Sequence, residues 1–279
     1  MIEQLIFGGI YDQNNNSDLS NTRDYGITIK IHQKKRLDEI RYKMSVTFSK
    51  KARSWIWEVT LNKTALYVNN KIPDFLKQRL DLEFGTTVLY PIKVMVTPYG
   101  TVKNITTTSY TSILDRFKAF KEKTLQENSG DAILSYLNTL EKGINTQKKL
   151  IEHLMYDWFW SLYFNPIYNN ATKELVLPLQ SNVPLVSYKG KIEEKVHLSY
   201  YNTRQRFFSG KVSNTYFEKY PSTKQHNAAI KLCYDFDPTN GIITNISSDQ
   251  VIIEKQNIIQ NIEVNIDQLS NNGKSLNHN

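Results

Sequence analysis

The chain carries a single cysteine, Cys233, in 279 residues, which excludes an intramolecular disulfide framework. Cys233 sits in an apolar strand pattern and reads as a small packed hydrophobe, since a nucleophile would need a basic neighbour. The five histidines, His32, His153, His197, His226 and His278, show no ligand spacing. Without H-E-x-x-H or paired cysteines, a zinc site has no basis. Phosphate-cradling loops are missing too: Gly8-Gly9 and Gly85 stand isolated from any G-x-x-x-x-G-K-[ST] or G-x-G-x-x-G pattern. No G-x-S-x-G elbow exists. Glu193 and Glu194 are adjacent, so on a strand they face opposite ways and cannot form a carboxylate dyad. Asp235 and Asp237 share a strand face, but a calcium loop counted from Asp235 has Asn240 at the glycine position and Ile246 at the acid position. Their side chains are expected to support a turn. No catalytic residue, cofactor or metal is called for, and the expected class is non-enzymatic.

Long apolar runs are absent as well. No window approaches the ~18 apolar residues of a membrane helix. Met1–Tyr11 contains Glu3, lacks a positive leading region and is broken by Gly8-Gly9, unlike a secretory signal. The expected compartment is the cytoplasm, or the periplasm if a signal peptide has been removed. Charge of one sign is in excess, at net +8, but the 35 basic residues are dispersed among 27 acidic ones. The tight runs, Lys34-Lys35-Arg36 and Lys50-Lys51-Ala52-Arg53, fall at expected hairpin turns and read as solvated surface. Nucleic acid is not the expected partner.

What is present is alternation. Ile27, Ile29 and Ile31 alternate with polar residues, as do Ile40, Tyr42, Met44, Val46 and Phe48, then Trp55, Trp57, Val59 and Leu61. Period-2 patterning of this kind predicts antiparallel strands with one buried face. A short helix is expected after Pro73, through Phe75, Leu76 and Leu80, followed by strands over 86–96 and 101–105. Residues 109–164 change period: Ile113, Leu114, Phe117, Phe120 and Leu125, then Ile133, Leu134, Leu137, Leu140 and Ile144, recur at helical spacing. Ser129 or Asp131 is available to cap the second stretch, which runs to Phe164 with a break near Gly143 and is ended by Asn165-Pro166. Strands resume at 175–179, 196–200, 206–212, 228–236, 241–246, 250–253 and 262–266, with Pro178 placing the first near an edge.

Two phrases echo half a chain apart. Gly100-Thr-Val102-Lys-Asn104-Ile105 answers Gly241-Ile-Ile243-Thr-Asn245-Ile246, each with a proline just before the glycine, Pro98 and Pro238. Each predicts a hairpin turn with a return strand. The expected fold is therefore α+β: two antiparallel β-meanders, related by internal duplication, flanking a central helical segment. The divisions are 1–108 for the first meander, 109–168 for the helices, 169–268 for the second meander and 269–279 for a disordered tail. Curved antiparallel sheets embracing helices are similar in general plan to bacterial lipoprotein-carrier half-barrels, a likeness that implies no site residue.

The densest aromatic cluster is Tyr156, Trp158, Phe159, Trp160, Tyr163 and Phe164, with Tyr168 just beyond. At 100° per residue these rings surround a helix rather than form a stripe, which predicts a buried helix gripped between two sheets. The alternative is an apolar-ligand pocket lined by the same rings. With 17 tyrosines suited to contact surfaces, the chain is expected to be a non-enzymatic interaction or structural protein, a subunit of a larger bacterial assembly with protein partners. The alternatives are a carrier for an apolar ligand held between sheet and helices, and an enzyme whose site has no motif.

Overall fold

A computed structural model describes residues 21–33, 36–50, 56–72, 74–165, 167, 174–178, 185–197, 203–212, 226–237, 241–254 and 257–269. The strands are β1 (Asn21–Gln33), β2 (Arg36–Lys50), β3 (Trp57–Val68), β4 (Ile92–Val96), β5 (Val102–Ile105), β6 (Glu174–Leu177), β7 (Val186–His197), β8 (Thr203–Val212), β9 (His226–Phe236), β10 (Ile243–Glu254) and β11 (Asn257–Gln268). The helices are α1 (Leu76–Glu83), α2 (Thr107–Glu127), α3 (Asp131–Ile144), α4 (Gln147–Leu154) and α5 (Trp158–Tyr163). The fold is α+β and mostly sheet.

All eleven strands belong to one antiparallel sheet, ordered β5-β4-β3-β2-β1-β11-β10-β9-β8-β7-β6. The expectation of a helix gripped between two sheets is corrected here. β1 and β11 pair along Tyr25–Gln33, so both meanders share one surface. Alternation put the inward phase on Tyr25, Ile27 and Ile29 of β1, Tyr42, Met44, Val46 and Phe48 of β2, and Ile262, Val264 and Ile266 of β11, all of them buried. Residues between them, such as Asp24, Lys43 and Ser45, lie on the opposite face and bond to one another there. A sheet of this many twisted strands curls, and the helices cover its apolar face.

Several boundaries differ from expectation. Residues 84–88 form a π-helical turn continuing α1, where a strand was expected. Phe84 is drawn out of strand phase by packing edge-on against Phe117 and beside Phe120 of α2. The cap of α3 is Gly130, at φ 111°, and Asp131 occupies the first turn. The helical run to Phe164 breaks at Asn145–Thr146 and again at Met155–Asp157, giving three helices. β10 is one strand where two were expected. β7 runs through 186–195, which its glycine and charges disguise: Gly190 faces Gly210, and a Cβ there would collide with the Ser209 carbonyl oxygen.

The echoed glycines both occupy hairpins, Gly100 at φ 82° between β4 and β5, Gly241 at φ 69° between β9 and β10. Thr97 and Asp237 donate their amides to the carbonyls of Thr101 and Ile242, so both turns are closed by a backbone bond, the second spanning one residue more. The return strands are not equivalent: β5 is an edge, whereas β10 lies next to β11 near the centre. The echo is thus one of turn chemistry, not of strand position. Gly100→Ala and Gly241→Ala should each cost about 1–2 kcal/mol, because an L side chain is strained at positive φ. Urea unfolding of the two variants checks this; unchanged midpoints would show that the turns relax to another conformation.

Candidate functional site

α5 is six residues long and every one of them, Trp158 to Tyr163, is buried. So short a helix leaves all its end groups without intrahelical partners, and burial denies them water. The surrounding chain supplies partners. Asp157 caps the N-terminus, its Oδ1 accepting from the Phe159 amide at 2.8 Å and from the Tyr42 hydroxyl at 2.6 Å. Its Oδ2 pairs with the Lys63 ammonium, which also lies 3.9 Å from the centroid of the Tyr42 ring. Trp160 Nε1 donates to the Tyr90 hydroxyl at 2.6 Å.

The other half of the sheet holds the C-terminal end. Tyr234 donates to the Leu162 carbonyl at 2.9 Å. Arg206, 0% exposed, donates to the Ile167 carbonyl at 2.6 Å and is paired with Glu194 at 3.1 Å. Tyr25, from the central strand, donates to the Ile243 carbonyl at 3.0 Å and stands 3.3 Å from the Tyr163 hydroxyl. Phe159 stacks on Tyr163 at 4.8 Å, and Tyr25 meets Tyr163 edge-on at 5.2 Å. Residues from both meanders therefore converge on one helix.

Burial, reinforced by the Asp157 carboxylate, raises the Tyr42 and Tyr90 phenols well above their ordinary range. Burial alone raises Tyr234, and burial outweighs the nearby Arg23 guanidinium in raising Tyr25. These phenols stay protonated near neutrality: Tyr25, Tyr42 and Tyr234 donate hydrogen bonds, Tyr90 accepts one from Trp160, and none is a base. At Glu194, burial works upward, but Arg204 and Arg206 together outweigh it and hold the carboxyl below its usual range.

Of the aromatic cluster read from the sequence, Trp158, Phe159, Trp160, Tyr163 and Phe164 are buried together, while Tyr156 stands apart, 41% exposed, before the cap. Tyr168 lies outside the described residues. The Cys233 thiol is pushed up to about 12 by burial and by Asp235, so it is not a thiolate near neutrality. Asp235 accepts from Gln205 at 2.7 Å, a structural bond. His32 faces Glu263 at 3.4 Å. The side chains of His197 and His226, and all of His278, lie outside the described residues, as do Lys34, Lys35 and residues 51–55. Among the described residues no group of three His, Cys, Asp or Glu could hold a metal ion. None of their helices is long and apolar enough to cross a membrane.

The anchors themselves, Tyr25, Tyr42, Lys63, Tyr90, Asp157, Arg206 and Tyr234, were not singled out from the sequence. One signal was there: Tyr25, Tyr42, Arg206 and Tyr234 sit in the inward phase of their strands, where a polar tip needs a partner.

A second surface feature lies on β3. β4 covers only Trp57–Leu61, so the strand beyond, to Val68, pairs with β2 alone. Asn69 and Asn70, both at positive φ, turn the chain tightly, and Val68 and Lys71 exchange backbone hydrogen bonds across them. Between this arm and the π-helical turn lies an open cleft of about 460 Å³, lined in part by Leu66, Tyr67, Ile72, Leu82 and Thr86. Ile72 and Phe75 are 67% and 73% exposed, with Tyr67 and Leu76 also open to solvent.

No family model matches the chain, and no curated protein matches it. Among solved structures, it is compared with a porin-like protein from Bacteroides uniformis at 8% identity, covering 88% of this chain and 95% of that one. The TM-score is 0.19, which carries no argument about fold or function.

Trp160→Ala should cost about 3–5 kcal/mol, since it empties a fully buried site. Tyr90→Phe should cost about 1–3 kcal/mol by leaving the Trp160 N–H without its acceptor. Thermal or urea denaturation decides both, and a neutral Tyr90→Phe would mean that water replaces the hydroxyl. His153, beside Phe84, is held below its ordinary 6.5 by burial, partly offset by Asp157. The unfolded chain then binds a proton that the folded one does not, so stability is full above pH 6.5 and falls as pH drops below it. His153→Gln should flatten this part of the stability–pH curve; an unchanged slope would exclude His153 as its source.

Proposed function

We propose that this chain works by binding rather than by chemistry, as a non-enzymatic interaction protein that joins a larger assembly. The observation that carries the reading is the apolar arm: Tyr67 and Ile72 line the cleft and are exposed, and Phe75 and Leu76, a few residues further along the chain, are exposed as well, at no evident gain to the fold. Contiguous exposed apolar surface of this kind marks a contact site, and aromatic residues favour protein partners. The titratable groups gathered at α5 are engaged in holding it, which removes the strongest catalytic candidates from solvent. In this reading the two meanders are a frame around the helical segment, and the arm is its point of attachment.

A second reading, a carrier for an apolar ligand held between sheet and helices, is favoured by the edges. Among the described residues β5 and β6 each pair with a single neighbour, so the described sheet is open where a closed barrel would seal.

The first reading is tested by Ile72→Ser combined with Phe75→Ser. Both side chains are solvated, so stability should change by no more than about 0.5 kcal/mol. Proteins that co-purify with the wild type from its native host, quantified by mass spectrometry, should be lost from the double variant. An unchanged set would remove the arm as the contact.

A further inference from the structure

Two arginines point into the buried face of the sheet, and their surroundings differ. Arg206 has Glu194 beside it and the Ile167 carbonyl in front of it. Arg23 is 8% exposed and has no carboxylate partner among the described residues. Its guanidinium lies 4.8 Å from the centroid of the Phe48 ring, on the same strand face as Tyr25. The Tyr25 hydroxyl donates to the Ile243 carbonyl, and a neutral phenol brings no compensating charge in any case. The acid next in sequence, Asp24, cannot help: strand alternation turns it to the opposite face, where Ser45 and Lys43 hold it at 2.6 and 2.7 Å.

A guanidinium has five N–H donors in a planar fork, and removing it from water without an anion is costly. Stacking on a ring recovers only part of that cost. Arg23 is also the outermost inward-facing side chain of β1 whose surroundings are described, the next inward being Tyr25. Beside it the rings of Phe48 and Trp57 meet edge-on at 5.9 Å, and Trp57 is only partly buried. A cation without an anion thus adjoins an apolar wall at the rim of the sheet.

The geometry points to Arg23 as the head-group site of an anionic amphiphile, a carboxylate or phosphate on an apolar chain, with the chain running past Trp57, the partly buried ring at this rim. The fork of the guanidinium matches either oxyanion through two parallel hydrogen bonds. This rests on the carrier reading and gives its ligand a charge. Arg206 is the internal control, a buried arginine whose anion the chain supplies itself.

The full chain is titrated calorimetrically with dodecanoate, dodecyl phosphate and dodecanol, as wild type, Arg23→Met and Arg206→Met, and each is melted without ligand. Removing a charge that lacks its anion should raise the melting temperature for Arg23→Met, whereas Arg206→Met, which strands Glu194, should lower it. The wild type should bind one or both anionic amphiphiles about tenfold or more tighter than dodecanol, and Arg23→Met should lose that preference. Which anion binds tighter identifies the head group. A melting temperature lowered by Arg23→Met as by Arg206→Met, or an anion preference that survives the substitution, overturns the assignment. Dodecanol bound as tightly as the anions would leave the carrier reading standing without Arg23; binding of none of the three would end both.

Discussion

From Tyr25 opposite Gln268 to Gln33 opposite Gln260, β1 and β11 pair without a break in the middle of the sheet. Each meander then grows outward from that junction, and this sends β5 and β6 to opposite edges although they follow one another along the chain. Ten inter-strand steps of about 4.8 Å would separate those edges by roughly 48 Å in a flat sheet. The segment between them has to make that crossing over the apolar face. Helices suit the task because they satisfy their own backbone while offering an apolar side to the strands. Curling of the sheet shortens the path and brings distant strands within reach of one short helix.

That geometry explains why the anchors are tyrosines and charged residues rather than more aliphatic core. A six-residue buried helix cannot satisfy its ends, so hydroxyl, carboxylate and guanidinium groups must be delivered to it from strands far away in sequence. Tyrosine delivers a hydroxyl on a rigid apolar ring, so the same side chain fills volume and donates a hydrogen bond. Asp157 serves three donors at once: the first free amide of the helix, the Tyr42 hydroxyl and the Lys63 ammonium. Buried polar groups connected this way specify one seating of α5, where greasy contacts alone would accept several.

Local physics was legible in the sequence, and long-range pairing was not. Alternation revealed β1, β2 and β11 because each buries one face of a regular pleat. The all-round aromatic character of Trp158–Tyr163 announced a helix buried on every side. β7 escaped because Gly190 and the run from Lys189 to Lys195 look like a loop; the glycine is there for close approach to β8, which only the pairing shows. The strand expected over 86–96 begins only at Ile92, because Phe84 packs against α2 and residues 84–88 continue the helix. At the site, the rings were visible but their partners were not: Tyr42 and Asp157 are separated by three strands and four helices, a relation that no local pattern encodes.

The placement of β1 also has a consequence for how the protein comes into being. Ribosomal synthesis releases β1 before the helices and β11 after every other described strand, so the junction at the centre of the sheet is among the last contacts that can form. Until then β1 presents its unpaired N–H and C=O groups along a long strand with apolar inward residues. Such an edge can pair wrongly with a neighbouring chain. Pairings between segments this distant along a chain are also slow to find. The interval between the emergence of β1 and that of β11 is therefore when this protein has most need of a chaperone.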